Sequence, residues 1–297
     1  SAFQLKQKLS EQLGVATDRL TVGNGSNDVL ELLARVFLKP GHNTVVSQHA
    51  FVVYGLVTQS LGATLREVPC VDYQQDLDAT LAMIDDQTRI VFIANPNNPT
   101  GTWVRRDALE RFLKAVPATT LVVLDEAYVE YVDDPAYPNG LALLDHYSNL
   151  VVTRTFSKAY GLAALRLGYA VSHPDVADLM NRIRQPFNVN SMALAAGLIA
   201  LDDPGHVAQG VAVNRQGLQD LNAGLADLSL AVIPSVGNFV CFDLGQDALP
   251  IYQALLMQGV IVRPVGVYGL PQHLRVSIGT LEENRIFLEA LGRVLNP

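Results

Sequence analysis

The chain has 297 residues, 49% of them hydrophobic, and its 21 basic and 29 acidic side chains leave a formal charge of -8. Such a length can bury one large core and a smaller second one, whereas the acidic balance and the lack of any Lys/Arg cluster exclude a nucleic-acid backbone as the natural partner. Cys70 and Cys241 stand far apart with no nearby His-Cys ligand pattern, the six histidines have no ligand spacing, and no apolar run nears the ~20 residues that span a bilayer, so neither disulfide framework, metal site nor membrane span is expected and a reducing cytoplasm fits.

The chain opens on Ser1 rather than Met and enters a helix-like segment at once, as though its beginning had been removed. From Ser26 to about Leu201, short β-branched runs alternate with amphipathic stretches, the pattern of a parallel sheet covered by helices on both faces. Val29, Leu32, Leu33, Val36 and Phe37 form the stripe of the first crossover helix, with Asp28 and Glu31 near its N-terminus, where the helix dipole favours acids. Strands are predicted at Thr44–Ser47, Thr64–Val68, Arg89–Ala94, Thr120–Asp125 and Asn149–Thr155, and helices at Tyr54–Ser60, Asp78–Ile84, Asp107–Ala115 and Gly140–Leu144. The Asp-Asp-Pro-Gly sequence ending at Gly205 breaks this rhythm. A large domain over residues 1–203 and a small one over 204–297 follow. The small domain holds a helix from His206 to Leu228, strands near Asn238–Phe242, Val260–Arg263 and Leu274–Ile278, and a closing helix over Glu282–Leu295 packing Ile286, Leu288, Leu291 and Val294.

The chemistry-bearing residues fall at strand ends, the carboxyl edge where open α/β sheets bind ligands. Gly25, Ser26 and Asn27 precede the first helix, so their amides and the helix dipole make an anion site. As a dinucleotide fingerprint the string fails, because Asp28 stands where the third glycine belongs, and no lysine makes it a P-loop. Asp125 ends the apolar run Leu121-Val-Val-Leu124 and emerges from a buried strand; a helix-capping or turn aspartate is the plainer alternative. Asn95-Pro-Asn-Asn-Pro-Thr-Gly101 has the composition of an ordinary turn, Lys158 alone reads as a surface lysine, and Phe51 reads as a helix-start aromatic. Arg275 lies between apolar neighbours in a strand, where an unpaired charge is costly, so it needs an anionic partner, either a ligand or a structural carboxylate. The same two options stand for Arg263.

In this order, Gly23-Asn-Gly-Ser-Asn-Asp28, the Asn95–Gly101 string, Asp125-Glu-Ala-Tyr128 and the stretch from Thr155 through Ser157, Lys158 and Arg166 resemble the cofactor pocket of the fold-type I aminotransferases that use pyridoxal 5'-phosphate, most closely the histidinol-phosphate aminotransferases. The similarity runs from Val22 to Thr280. It implies an α/β fold with a large, mostly parallel sheet covered by helices and a smaller C-terminal α+β domain. It makes Lys158 the Schiff-base lysine, a role suited to an amine desolvated beside other cations, and Asp125 the carboxylate that keeps the pyridine nitrogen protonated. Ala127 and Phe51 would pack on the ring faces, Tyr128 and Asn98 would reach the ring O3′, and Gly25, Ser26, Asn27, Thr155, Ser157 and Arg166 would hold the phosphate. Arg275, assisted by Arg263, would take the substrate phosphate.

The resemblance further implies transamination of histidinol phosphate with 2-oxoglutarate or glutamate in histidine biosynthesis, by a cytoplasmic homodimer with a shared active site and no metal. Aromatic amino acid transamination and threonine-phosphate decarboxylation are the neighbouring activities. A non-catalytic protein that keeps the pyridoxal fold is the alternative of a different class. Family members usually begin with an Asn-Glu-Asn-Pro-Tyr-Gly-like segment and carry an upstream tyrosine that reaches the neighbouring subunit's phosphate. Neither is in this sequence, so weaker cofactor binding is expected.

Overall fold

The structure, a computed structural model, describes residues 2–295; Ser1, on which the expectation of a missing beginning rests, lies outside them. The elements run α1 (Phe3–Leu13), β1 (Leu20–Asn24), α2 (Ser26–Phe37), β2 (Asn43–Ser47), α3 (Val53–Ser60), β3 (Thr64–Val68), α4 (Leu77–Ala82), β4 (Thr88–Ala94), α5 (Arg106–Ala115), β5 (Leu121–Asp125), α6 (Gly140–Leu143), β6 (Leu150–Thr155), β7 (Leu167–Val171), α7 (Pro174–Ile183) and α8 (Ser191–Leu201). After them come α9 (Pro204–Asp227), β8 (Ala231–Ile233), β9 (Phe239–Asp243), α10 (Ala248–Met257), β10 (Arg263–Pro264), β11 (His273–Ser277) and α11 (Leu281–Leu295).

Seven strands form one sheet in the order β1-β7-β6-β5-β4-β2-β3. Its central pairs are parallel, and β7 runs antiparallel to both β6 and β1. Two reversals make β1 run with β6, so the ends of β1, β4, β5 and β6 reach the same edge. Both faces are covered, as the continuous apolar runs require. Val91, Ile93, Val122 and Leu124 pack on one face with Leu109 of α5 and Leu5 of α1, while Ile90, Phe92 and Val123 pack on the other with Val29 and Leu33 of α2 and Tyr54 of α3. Each such side chain, buried fully, contributes about 1.5–3 kcal/mol.

The second sheet is four-stranded and antiparallel, in the order β10-β11-β9-β8. One face carries Val240, Phe242 and Leu274 against Leu221 and Leu225 of α9, Leu255 of α10 and Phe287 and Leu291 of α11. The other face, with Cys241 and Ile233, packs with Tyr268, Leu270 and Tyr73. Tyr73 belongs to the loop after β3, so this face meets the large sheet's edge.

Three expectations need correction. Val260–Arg263 is not a strand: Gly259 takes a positive φ of 78°, the Val260 amide still bonds back to Leu255 of α10, and β10 is confined to Arg263 and Pro264. In α11, Ile286 is 44% exposed, and Phe287 and Ala290 join Leu291 in the core, because the stripe is rotated toward Leu221 and Phe242. Finally, β1, β7, α7, α8, β8 and α10 lay outside the predicted elements.

Candidate active site

At the carboxyl edge, a cleft with an empty volume of about 640 Å³ is lined by strand ends and the loops after them. Ser26, Asn27, Phe51, Asn98, Asp125, Ala127, Tyr128, Thr155, Ser157, Lys158 and Arg166 all line it, together with Tyr54, Ala94 and Pro96. The motifs, dispersed over the sequence, therefore share one volume.

One end of the cleft suits an anion. Gly25 takes φ 81° and turns the chain from β1 into α2, whose first-turn amides receive no side-chain cap. Arg166 lies against Gly25, so close that a Cβ there would fall 2.6 Å from its Nη2. Its guanidinium donates to Ser157 Oγ (3.5 Å) and the Ala163 carbonyl (3.0 Å), and it has no carboxylate partner among the described residues. Gly168 of β7 closes the other flank: a Cβ there would fall 2.3 Å from the Ser26 amide nitrogen. Uncapped amides and an unneutralised arginine are what a phosphate group requires. Gly25 itself shapes this end from behind the lining.

The cleft also holds a buried carboxylate. Asp125, 5% exposed, accepts the Tyr54 hydroxyl on Oδ2 (2.8 Å) and the Thr153 hydroxyl on Oδ1 (3.0 Å). Burial pushes its carboxyl above the ordinary range, while the two hydroxyls, the Ala127 amide and the Lys158 charge pull the other way. A cation placed against it would complete its ionisation. Lys158 lines the same cleft, with Nζ 5.1 Å from the centre of the Tyr128 ring. Burial lowers its pKa most, the charges of Arg275 and Arg166 lower it further, and only Asp125 opposes them. More of the free amine, the nucleophilic form, is present at neutral pH than on an exposed lysine.

The small sheet approaches the cleft through Arg275 of β11, which meets the lining residue Asn98 but is not itself part of the lining. Its Nη1 donates to Asn98 Oδ1, its guanidinium carbon lies 5.1 Å from the Phe239 ring centre, and its Nε is buried without a partner. No ion pair to a carboxylate engages it among the described residues, which removes the structural salt bridge as its explanation. Arg263 stands opposite Arg275 in the β10–β11 register but is exposed, and it makes no ion pair among the described residues. Phe239 also meets Tyr128 edge-on, with centroids 5.2 Å apart, and so ties the two sheets across the cleft.

Sequence reasoning missed Tyr54, whose ring stacks on Phe92 at 4.7 Å and whose hydroxyl serves Asp125. Its place in the first turn of α3, just after Phe51, was the available signal. Thr153 was missed too. It faces Asp125 only through the β5–β6 register, which no local pattern reveals.

Against this geometry, the family described as aminotransferase class I and II matches residues 3–291. The chain belongs to that family. It is 58% identical over 295 residues to histidinol-phosphate aminotransferase 2 of Pseudomonas fluorescens, covering 99% of this chain and 80% of the relative. The crystal structure of histidinol-phosphate aminotransferase from Sinorhizobium meliloti in complex with pyridoxal 5'-phosphate superposes with a TM-score of 0.94 at 33% identity, covering 99% of this chain and 81% of that one. L-threonine-O-3-phosphate decarboxylase from Porphyromonas gingivalis, at 24% identity and a TM-score of 0.88 over 100% and 89% of the two chains, shares the fold. Both the fold and the family expected from the motifs are thus found. No helix among the described residues is long and apolar enough to cross a membrane.

Proposed function

We propose that this chain is a pyridoxal-phosphate-dependent histidinol-phosphate aminotransferase that moves an amino group between histidinol phosphate and the 2-oxoglutarate/glutamate pair. The observation that carries the reading is the meeting of three groups in one cleft: an uncapped helix N-terminus with the unneutralised Arg166, the half-buried amine of Lys158, and the buried carboxylate of Asp125. A phosphorylated aromatic cation with a carbonyl carbon meets each of them. The cofactor, when bound, supplies that carbonyl carbon and an electron-withdrawing ring.

The chain's own residues then do the following. Ser26 and Asn27 amides, Thr155, Ser157 and Arg166 hold the phosphate, with Gly25 allowing the turn to approach it. Asp125, kept in place by Tyr54 and Thr153, holds a proton on the ring nitrogen. Phe51 and Ala127 confine the ring faces, and Tyr128 and Asn98 orient the ring oxygen. Lys158 Nζ would hold the cofactor at its carbonyl carbon, and the same amine, when free, would take a proton from the amine-bearing carbon of the substrate and hand it on. Arg275, its Nε still free, binds the substrate phosphate in one half-reaction and a carboxylate in the other, with Arg263 assisting at the rim. A cytoplasmic, histidine-biosynthetic homodimer fits this reading. Exposed Val52, Leu56 and Val267 border a groove that shares Phe51 and Tyr54 with the cleft, which supports a subunit interface beside the site. We place the division between cofactor domain and small domain at residues 203 and 204, in the turn before α9.

The test is to load the purified protein with pyridoxal phosphate, record its visible absorption, and assay amino transfer from histidinol phosphate, phenylalanine, tyrosine and threonine phosphate to 2-oxoglutarate. Histidinol phosphate is expected to give the highest kcat/KM. Release of carbon dioxide from threonine phosphate would replace this reading, and cofactor binding without turnover of any donor would leave a binding protein.

A further inference from the structure

The ends of β5 and β6 carry two rows of side chains, one on each face of the sheet. On the cleft side, Asp125 stands opposite Thr153 and accepts its hydroxyl. On the far side, Glu126 is fully buried; its Oε2 accepts Nε (2.9 Å) and Nη2 (2.7 Å) of Arg154, and its Oε1 accepts the Gly140 amide (2.9 Å). The Glu126 amide extends the strand ladder to the Thr153 carbonyl at 2.9 Å. A further carboxyl, Glu130, is buried close enough to interact with the same arginine, and its Oε2 has no hydrogen-bond partner. Arg154 and Glu126 do not line the cleft. Buried carboxyls thus crowd around one strand end, and the cation paired with them behind the sheet is Arg154.

We propose that Arg154 is a positioning residue for Asp125: by neutralising Glu126 from behind the sheet, it leaves the Asp125 carboxylate as the anion that a cationic ring in the cleft can use. The inference rests on the reading of Asp125 as partner of the ring nitrogen. Adjacent carboxylates in a dry environment cannot both stay ionised without compensation, and one of them takes a proton. The Asp125 charge already raises the Glu126 carboxyl in this way, after burial and against the pull of Arg154 and the Gly140 amide. The two halves of the ion pair are consequently not equivalent. Losing Arg154 leaves Glu126 without its cation beside Asp125, so the two carboxyls compete for a proton and the aspartate is drawn toward its neutral form. Losing the Glu126 charge leaves a buried cation, which favours the ionised aspartate. An ion pair that served only the fold would fail alike from either side, because either truncation leaves one uncompensated buried charge.

The test compares Arg154→Met, Glu126→Gln, the double variant and Arg154→Lys, each loaded with pyridoxal phosphate labelled with nitrogen-15 in the ring. The readouts are the ring-nitrogen chemical shift, which reports its protonation, kcat and KM for histidinol phosphate, and Tm. Both single variants are expected to lower Tm. Arg154→Met alone moves the ring nitrogen toward its unprotonated shift and lowers kcat at least about tenfold, with KM nearly unchanged. Glu126→Gln keeps the protonated shift and a kcat within about threefold, and the double variant and Arg154→Lys recover both. Equal effects of Arg154→Met and Glu126→Gln on shift and kcat, or a protonated ring in Arg154→Met, overturn the proposal. Should Arg154→Met not fold, an unprotonated ring in the double variant or in Arg154→Lys overturns it instead. Asp125→Asn tests the underlying reading separately: if the ring stays protonated there, the assignment of Asp125 has failed and the proposal falls with it, whereas an unprotonated ring there together with a protonated one in Arg154→Met overturns the role of Arg154 alone.

Discussion

The two sheets contribute to the cleft in opposite ways. The seven-stranded sheet delivers groups from several strand ends at once, and the central one, Asp125, is held from both sides by buried hydroxyls. The four-stranded sheet delivers Arg275, a long side chain resting on Asn98 and the Phe239 ring with donor capacity to spare. Chemistry demands fixed distances, and a parallel sheet with both faces packed provides them. Recognition of a phosphate or carboxylate tolerates a mobile fork on a separate sheet. The large sheet should therefore govern kcat and the small one KM.

That division can be broken most severely at Lys158. Lys158→Ala is expected to abolish amino transfer and the lysine-dependent visible band with Tm nearly unchanged; half-reaction rates like the parent's would refute the assignment. Asp125→Asn comes next. Its rate should fall ~10²–10³-fold, the usual cost of losing a preorganised charge at a reacting centre, with KM for histidinol phosphate little altered. A rate within a few-fold of the parent would mean that another group protonates the ring.

Arg275→Ala sharpens the other side of the division. KM for histidinol phosphate should rise by one to two orders of magnitude, roughly the ~1.5–3 kcal/mol of charge-assisted hydrogen bonding lost, while histidinol without phosphate hardly responds. Equal losses on both substrates would return Arg275 to a purely structural role. The smallest effect is expected at Tyr54→Phe, which removes one donor to Asp125 and leaves Thr153. Stability should drop by about 1.5–3 kcal/mol, read by denaturant unfolding, and kcat should fall only a few-fold. A loss as large as that of Asp125→Asn would make Tyr54 an equal partner in the chemistry.

What was legible in the sequence follows the same line. Asp125, Lys158 and the Gly25–Asn27 turn sit at boundaries between an apolar run and a polar string, and such boundaries survive in one dimension. The interior parallel strands were placed to within a residue because burial on both faces leaves them largely apolar, whereas the exposed edge strand β3 was placed by its short β-branched run alone. Strand β7 overlaps the motif that precedes it, and the end of β1 falls within the Gly23–Asp28 string. Both pair antiparallel at the side of the sheet where pairing, not pattern, decides. Thr153 and Arg154 were invisible for a related reason: their partners, Asp125 and Glu126, lie on another strand, and a register is a property of two strands. Arg275 could be singled out by its apolar neighbours, but its contact with Asn98 could not.

Gly168 is not part of the cleft lining, yet the turn proposed to cradle the phosphate rests directly on its bare Cα. One methyl group at that position would occupy the space of the Ser26 amide and lift the whole turn away from β7. The mouth of the cleft is in this sense moulded by an omission. A screen that looked only for residues touching the phosphate would pass over position 168, although Gly168→Ala would register as a defect in anion affinity. Pocket redesign in this scaffold therefore has freedom at the rim and none at this strand, where shape is inherited from the smallest side chain available.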